Sequence, residues 1–370
     1  MKIAMFGHKR IPSREGGVEI VVEELAARMV QRGHRVTCYN RAGHHVSGAA
    51  FDGSTGTDHR GIRLKTVPTL DKKGLAAVTS SFFAAVCAAF SSADVVHIHA
   101  EGPALMCWLP RLLGKQVIVT VHGLDWQRSK WKGGFAAKYI RLGEKAAVRF
   151  AHRIIVLSRN VQQYFLDTYG RETDFIPNGV TLPEIVEPEQ LRSRGLEKDN
   201  YILFLGRLVP EKCPDLLIRA YRELNTKKKL VIAGGSSDSE DYAAQLKQLA
   251  GDNPDILFTG FIQGKLLEEL YSNAYLYVLP SDLEGMPLSL LEAMSYGNCC
   301  LVSDIPECAE VVEDKAFTFS RGNVEDLTKQ LQLLCEETDR VNHTKEKVRV
   351  FVGKKYSWDD VTTKTLELYQ

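Results

Sequence analysis

The chain has 370 residues, 44% of them apolar and 25% charged, with 47 basic and 46 acidic side chains for a net charge of +1. It is too long for one ordinary domain, and its composition is that of a soluble globular protein, which excludes collagen-like, low-complexity and disordered chains. A core of this size needs no disulfide or metal staple. The eight cysteines include no C-x-x-C pair and are expected as small buried thiols in a reducing compartment.

Taken in chain order, the pattern is strand then helix, repeated. Lys2 to Phe6 reads as a strand, Val18 to Arg32 as an amphipathic helix closed by Gly33, and His34 to Tyr39 as a second strand. Leu75 to Phe90 is the longest apolar run, but it contains Thr79, Ser80 and Ser81 and falls short of the roughly 20 residues a spanning helix needs. The opening MKIAMFGHKR has too short an apolar stretch for a secretory signal, and basic residues follow it in the wrong order. A cytoplasmic chain is expected, with peripheral contact at the inner face of the plasma membrane left open. Strands follow at Ala93 to Ile98, Gln116 to Val121 and Arg153 to Leu157.

Turn chemistry at Pro177, Asn178 and Gly179 ends this half, and polar, proline-containing sequence from Pro183 to Asn200 reads as a linker. The rhythm then restarts, with strands at Tyr201 to Leu205, Lys229 to Ala233, Ile256 to Thr259, Ala274 to Leu279 and Cys299 to Ser303. A largely helical stretch runs from Val324 to Gln370. Continuous apolar strands alternating with helices predict an α/β chain of two doubly wound parallel-sheet domains, with a ligand at the carboxyl ends of the strands in the cleft between them.

The near-neutral total hides an asymmetry. Residues 1–180 carry 25 basic and 14 acidic side chains, net +11, and the remainder is net −10. Between Trp126 and Arg153 stand Arg128, Lys130, Lys132, Lys138, Arg141, Lys145, Arg149 and Arg153 against Glu144 alone. On a helix Lys138, Arg141, Lys145 and Arg149 share one face, flanked by Trp126, Trp131 and Phe135, as suits a surface helix resting on anionic lipid. A solvated face of a packed helix is the plainer alternative, and no nucleic-acid module is visible.

Candidate chemistry lies at strand ends. No two glycines are separated by a single residue, so the dinucleotide fingerprint is absent, as is a Walker sequence. Gly16 and Gly17 follow the first strand and open a helix, where backbone N–H groups can approach a phosphate. Arg207 and Lys212, in GRLVPEK, suit a diphosphate. Glu284 and Glu292 lie eight positions apart around a helix with Pro287 as its expected first residue, so Gly285, Met286, Pro287 and Leu288 line the helix start. His122 follows the strand VIVTV and faces the expected cleft. His97 and His99 share a strand face without a convincing third metal ligand, and read as cleft lining or core.

Together, and in this order along nearly the whole chain, these segments resemble glycosyltransferase family 4, retaining enzymes of the GT-B fold. The Gly16-Gly17 loop, DVVHIH, TVHG, IPNGV, GRLVPEK, the Glu284/Glu292 pair and Tyr356-Ser357-Trp358 each resemble a family segment. GHKRIPSREGGVEIVVEELA and HGLDWQRSKW further resemble a subgroup acting in bacterial capsule and exopolysaccharide assembly. The resemblance implies an acceptor-binding domain over 1–180, with 355–370 packing back on it, and a donor-binding domain over 181–354. It implies a nucleotide-diphosphate sugar (UDP-, GDP- or dTDP-linked) as co-substrate, a glycan or lipid-linked acceptor, and no metal or other cofactor. Arg207 and Lys212 would neutralise the leaving diphosphate, assisted by Gly17 and the helix start at Gly285 to Leu288. Glu284 would bind the sugar's hydroxyls, Glu292 the ribose, His122 the donor sugar, and backbone near Phe261 and Ile262 the base. A nucleotide-sugar epimerase of the same fold and a non-catalytic sugar-nucleotide-binding protein stay open as alternatives.

Overall fold

The computed structural model describes residues 1–43, 56–70, 72, 74–128, 134–236 and 240–370. They divide into two compact units, one formed by Met1–Gly179 with Trp358–Gln370, the other by Val180–Ser357.

The first unit holds β1 (Lys2–Phe6), β2 (Arg35–Arg41), β3 (Asp58–His59), β4 (Ile62–Val67), β5 (Val95–His99), β6 (Gln116–Val121), β7 (Arg153–Val156) and β8 (Asp174–Phe175). They form one sheet in the order β3-β4-β2-β1-β5-β6-β7-β8. Only β3 against β4 is antiparallel. The chain winds outward from β1 through β2, then returns to β1's other side with β5, so the winding changes direction between β1 and β5. Met5 pairs with Cys38 on one side and with His97 on the other. That register brings the residues after β1, at the end of β2 and at the end of β5 to one edge.

Ala4 and Phe6 pack with Val96, Ile98, Val117 and Val119, under Ala84, Ala85 and Ala88 of the helix Leu75–Ala89 and Ala147 of the helix Phe135–Phe150. Helix Gly17–Gln31 stops where Gly33, at φ +84°, lets the His34 N–H reach the Met29 carbonyl (3.1 Å). The terminal helix Trp358–Glu367 belongs to this unit. Arg32 donates to Thr363 Oγ1 and to the Asp359 carbonyl, and the Tyr369 hydroxyl meets His97 Nδ1 at 2.6 Å.

The second unit holds β9 (Tyr201–Leu205), β10 (Lys229–Ala233), β11 (Ile256–Gly260), β12 (Leu276–Leu279), β13 (Cys300–Ser303) and β14 (Phe317–Phe319). All are parallel, in the order β11-β10-β9-β12-β13-β14. Its winding changes direction between β9 and β12. The central strands are buried on both faces, as helix-covered parallel strands must be. The buried phenols of Tyr201 and Tyr275 are satisfied by the Leu270 and Leu334 carbonyls.

Several expectations change. Residues 183–200 are not a linker: they contain the short helix Glu189–Arg192, bury Leu191 and Leu196, and dock on Glu269, whose carboxylate accepts the N–H groups of Gln190 and Leu191. Pro287 is not the first helical residue; its ψ of 107° is extended, and the helix runs Leu288–Ser295 with Pro287 as its cap. Six cysteines are buried, but Cys87 is exposed and Cys335 half-buried. Strands β3, β4, β8 and β14 had no expectation, because they are short or, like β4, alternate between buried and exposed instead of running apolar.

Candidate active site

In the second unit, the change of winding between β9 and β12 leaves a crevice at the strands' carboxyl ends, the usual ligand position in such sheets. Residues following both strands meet there. Lys212, in a 3-10 turn after β9, pairs with Glu284 after β12 at 2.5 Å, and both side chains are largely buried. The two loops are also stitched by the Asp282 N–H on the Glu211 carbonyl (2.9 Å). Arg207 lies between β9 and that turn, half-buried. Gly285, Met286, Pro287 and Leu288 are buried where the next helix begins, and Leu290 and Leu291 direct their N–H groups back to the Pro287 carbonyl. Glu292, one turn in, accepts from the Tyr271 hydroxyl (3.2 Å), and Tyr271 stacks on Tyr296.

Phe261 and Ile262, half-buried, follow β11 on the same edge. The structure adds residues that the sequence reading missed. Gly234, at φ +144°, abuts the Gly206 carbonyl so closely that a β-carbon would overlap it, and a β-carbon on Gly235 would touch Phe261 at 3.4 Å. A glycine pair directly after a strand was the available signal. The edge is thus built of bare backbone beside a buried ion pair, which can admit an anionic ligand closely.

In the first unit the corresponding edge is lined with imidazoles. Gly7, at φ +111°, lets β1 run against the His99 carbonyl where any β-carbon would clash. His8 Nε2 lies 2.9 Å from Asn40 Oδ1. Asn40 Nδ2 donates to the Ile11 carbonyl, so its Oδ1 accepts and His8 carries its proton on Nε2. His97 is fully buried between Tyr369 and Thr120, which makes it core. His99 stacks on His97, and its Nδ1 meets His122 Nε2 at 3.1 Å. Burial lowers His8 and His122 to about 4 and His97 to about 3, and depresses His99 as well, so all four are neutral near pH 7.

Gly16 caps the helix that Gly17 begins, but the space beside Gly16 is taken by the carboxylate of Glu19, which also accepts the Lys9 N–H (2.8 Å). Among the basic residues, Lys138, Arg141, Lys145 and Arg149 are exposed on the helix Phe135–Phe150. Lys130 and Lys132 lie outside the described residues.

Two doubly wound parallel sheets, each with its chemistry at the strand ends, define the GT-B glycosyltransferase fold, and solved structures agree. The crystal structure of Anabaena HepE in complex with UDP and glucose superposes with a TM-score of 0.82 at 18% identity, over 99% of this chain and 98% of that one. WaaG, a glycosyltransferase involved in lipopolysaccharide biosynthesis, superposes with a TM-score of 0.78 at 17% identity, over 100% and 99%. An uncharacterized glycosyltransferase of Methanocaldococcus jannaschii is 24% identical over 100% of this chain and 98% of its own length. The model for Glycosyltransferase Family 4 matches residues 15–183, and that for Glycosyl transferases group 1 matches residues 186–351. The chain belongs to this family and is a glycosyltransferase.

Proposed function

We propose that the enzyme moves a sugar, with retention, from a nucleotide-diphosphate donor to a lipid-linked glycan acceptor in bacterial surface polysaccharide synthesis, without a metal. The second unit takes the donor. The observation that carries this reading is the Lys212–Glu284 pair, locked at the β9/β12 change of winding, with Lys212 on the loop that also carries Arg207. HepE, crystallised with UDP and glucose, supports a nucleotide-sugar donor, and WaaG's part in lipopolysaccharide biosynthesis supports the acceptor class.

Breaking a glycosyl–phosphate bond builds negative charge on the diphosphate and positive charge on the sugar. Arg207 and Lys212 neutralise the first, and the N–H groups at the helix start near Gly285 to Leu288 assist. Glu284, oriented by Lys212, receives sugar hydroxyls; Glu292, steadied by Tyr271, receives the ribose; backbone at Phe261 and Ile262 meets the base. The acceptor oxygen bonds to the anomeric carbon on the face from which the phosphate leaves, and its proton passes to the departing phosphate oxygen. The roles of Gly16, Gly17 and His122 rest on the family resemblance alone. The basic helix Phe135–Phe150 holds the enzyme to anionic lipid.

Mass-spectrometric screening of nucleotide sugars for hydrolysis or transfer tests the reading. One donor should be consumed, and Lys212→Ala and Glu284→Ala should slow its consumption by roughly 30- to 1000-fold, the range for losing one transition-state contact of about 2–4 kcal/mol. Variants that match the wild type, or an epimerised sugar nucleotide from donor alone, would overturn it.

A further inference from the structure

The first unit carries a cluster of polar atoms that its own fold leaves unbonded. Among the described residues, His8 Nδ1, Arg41 Nε, His99 Nε2 and the Tyr139 hydroxyl are buried without a hydrogen-bond partner at or beside the edge where the winding reverses between β1 and β5, while others of the kind, such as Arg171 Nε, Glu269 Oε1 and Ser281 Oγ, lie elsewhere. Native folds leave few such groups, so four contributed by separate elements to one sheet edge point to a ligand.

The four come from separate parts of the chain. His8 follows β1, Arg41 ends β2, His99 ends β5, and Tyr139 stands in the first turns of the helix Phe135–Phe150. Arg41 and Tyr139 are near enough to act on each other electrostatically, as are His8 and Arg41, and His8 and His99. Arg41 is held by its backbone, whose N–H donates to the Lys9 carbonyl (2.7 Å), while the Arg10 guanidinium reaches the Arg41 carbonyl at 3.5 Å. Glu19 is the carboxylate within its electrostatic reach. It spends one oxygen on the Lys9 N–H and sets the other beside Gly16, making no hydrogen bond to the guanidinium.

The chemistry of the cluster selects its ligand. A guanidinium whose Nε has no partner among the described residues, with a phenol beside it, matches an oxyanion. The bare Nδ1 of His8 is an acceptor and suits a neighbouring hydroxyl. We infer that this edge binds the acceptor substrate, and that it recognises an acceptor carrying a compact oxyanion, phosphoryl or carboxylate, held by Arg41 and Tyr139 next to a hydroxyl held by His8. The inference deepens the proposed function and rests on it for the identity of the ligand as acceptor.

The test is isothermal titration of the full chain in a saturating nucleoside diphosphate, UDP, GDP or dTDP according to which one binds, so that the second unit's anion site is filled. The ligands are glucose 6-phosphate, inorganic phosphate, methyl glucuronide and the uncharged methyl glucoside. A charged sugar should bind at least about tenfold more tightly than the glucoside, and Arg41→Gln should remove that advantage. Tyr139→Phe should weaken it by roughly threefold to tenfold. Arg41→Lys, which keeps the charge and loses the fork, should fall between. A preference for glucose 6-phosphate over the glucuronide, or the reverse, separates the two oxyanion sources. Equal binding of charged and uncharged sugars, unchanged binding in Arg41→Gln, or no binding while a nucleoside diphosphate binds overturns this inference and leaves the donor reading standing. A chain that binds none of UDP, GDP and dTDP and none of the four sinks both.

Discussion

At the residue scale, the Lys212–Glu284 pair has two separable consequences. Both side chains are largely withdrawn from water, with 13% and 7% of their surface exposed. Removing one partner strands a buried charge, whereas replacing both with apolar groups of similar size often costs little. Lys212→Met alone should therefore destabilise the chain by about 3–5 kcal/mol. The double variant Lys212→Met/Glu284→Leu should recover most of that loss while sugar transfer stays impaired. Urea unfolding and turnover, measured on the same three proteins, check this; a double variant no more stable than Lys212→Met would mean that Glu284 has another compensating partner. Lys212 and Glu284 could each be singled out in the sequence because each sits in a compact segment directly after a strand, but their pairing with each other was not read there. Arg41, His8 and Tyr139 were not singled out, because no segment unites them. They meet only through the parallel register that sets Met5 beside Cys38 and His97, and a register is not written in any local run of residues. Gly234 and Gly235 did carry a local signal, a glycine pair after an apolar strand, of the kind already read at Gly16 and Gly17.

At the element scale, the helix Phe135–Phe150 shows how a face is read correctly and its counter-charge is not. Periodicity put Lys138, Arg141, Lys145 and Arg149 together, and all four are exposed. The sequence counted Glu144 against them, but that residue points inward and is fully buried. Its carboxylate accepts the hydroxyls of Tyr164 and Tyr169 and the Trp126 indole N–H. Gly143 makes this possible by lying against the Glu101 carbonyl, where a β-carbon would overlap. Glu101 is buried next to Glu144, and burial with that carboxyl neighbour pushes its pKa well up. The exposed stripe thus has no acid of its own helix to balance it, with Phe135 at 86% and Leu142 at 53% exposure and Arg141 stacked 4.0 Å over Trp126. Near an anionic bilayer each such basic residue contributes about 1 kcal/mol. Lys138→Glu/Arg141→Glu/Lys145→Glu should therefore weaken sedimentation with phosphatidylserine vesicles by roughly 100-fold or more, and salt should weaken the wild type's binding in the same sense. Wild-type protein that binds neutral and anionic vesicles equally would refute lipid docking by this face.

At the scale of the whole molecule, the two units should respond differently to acid. The four imidazoles held neutral by burial, His8, His97, His99 and His122, all belong to the first unit, whereas the one histidine of the second, His343, is exposed. An unfolded chain protonates these rings near pH 6.5, whereas the folded unit resists until about 4 for His8 and His122 and about 3 for His97. Between those limits the unfolded state binds more protons, so stability is complete above pH 6.5 and falls as the pH drops toward 4. For His8 and His97 the loss at pH 5 is about 2 kcal/mol each. Glu101 acts in the opposite sense: its raised pKa stabilises the fold at low pH and is lost as the pH climbs above the ordinary carboxyl value of 4.5. One carboxyl offsets only part of four imidazoles, so the net effect of acidification is destabilising. Hydrogen exchange at pH 7 and pH 5, corrected for intrinsic rates, should show protection falling across β1, β5 and β6 while β9, β10 and β12 keep theirs. Parallel loss in both units would mean that the imidazoles do not govern the acid response. An acceptor bound at the histidine-lined edge should protect the first unit selectively, because a ligand that bonds His8 Nδ1 as an acceptor must bind the neutral ring and so opposes its protonation.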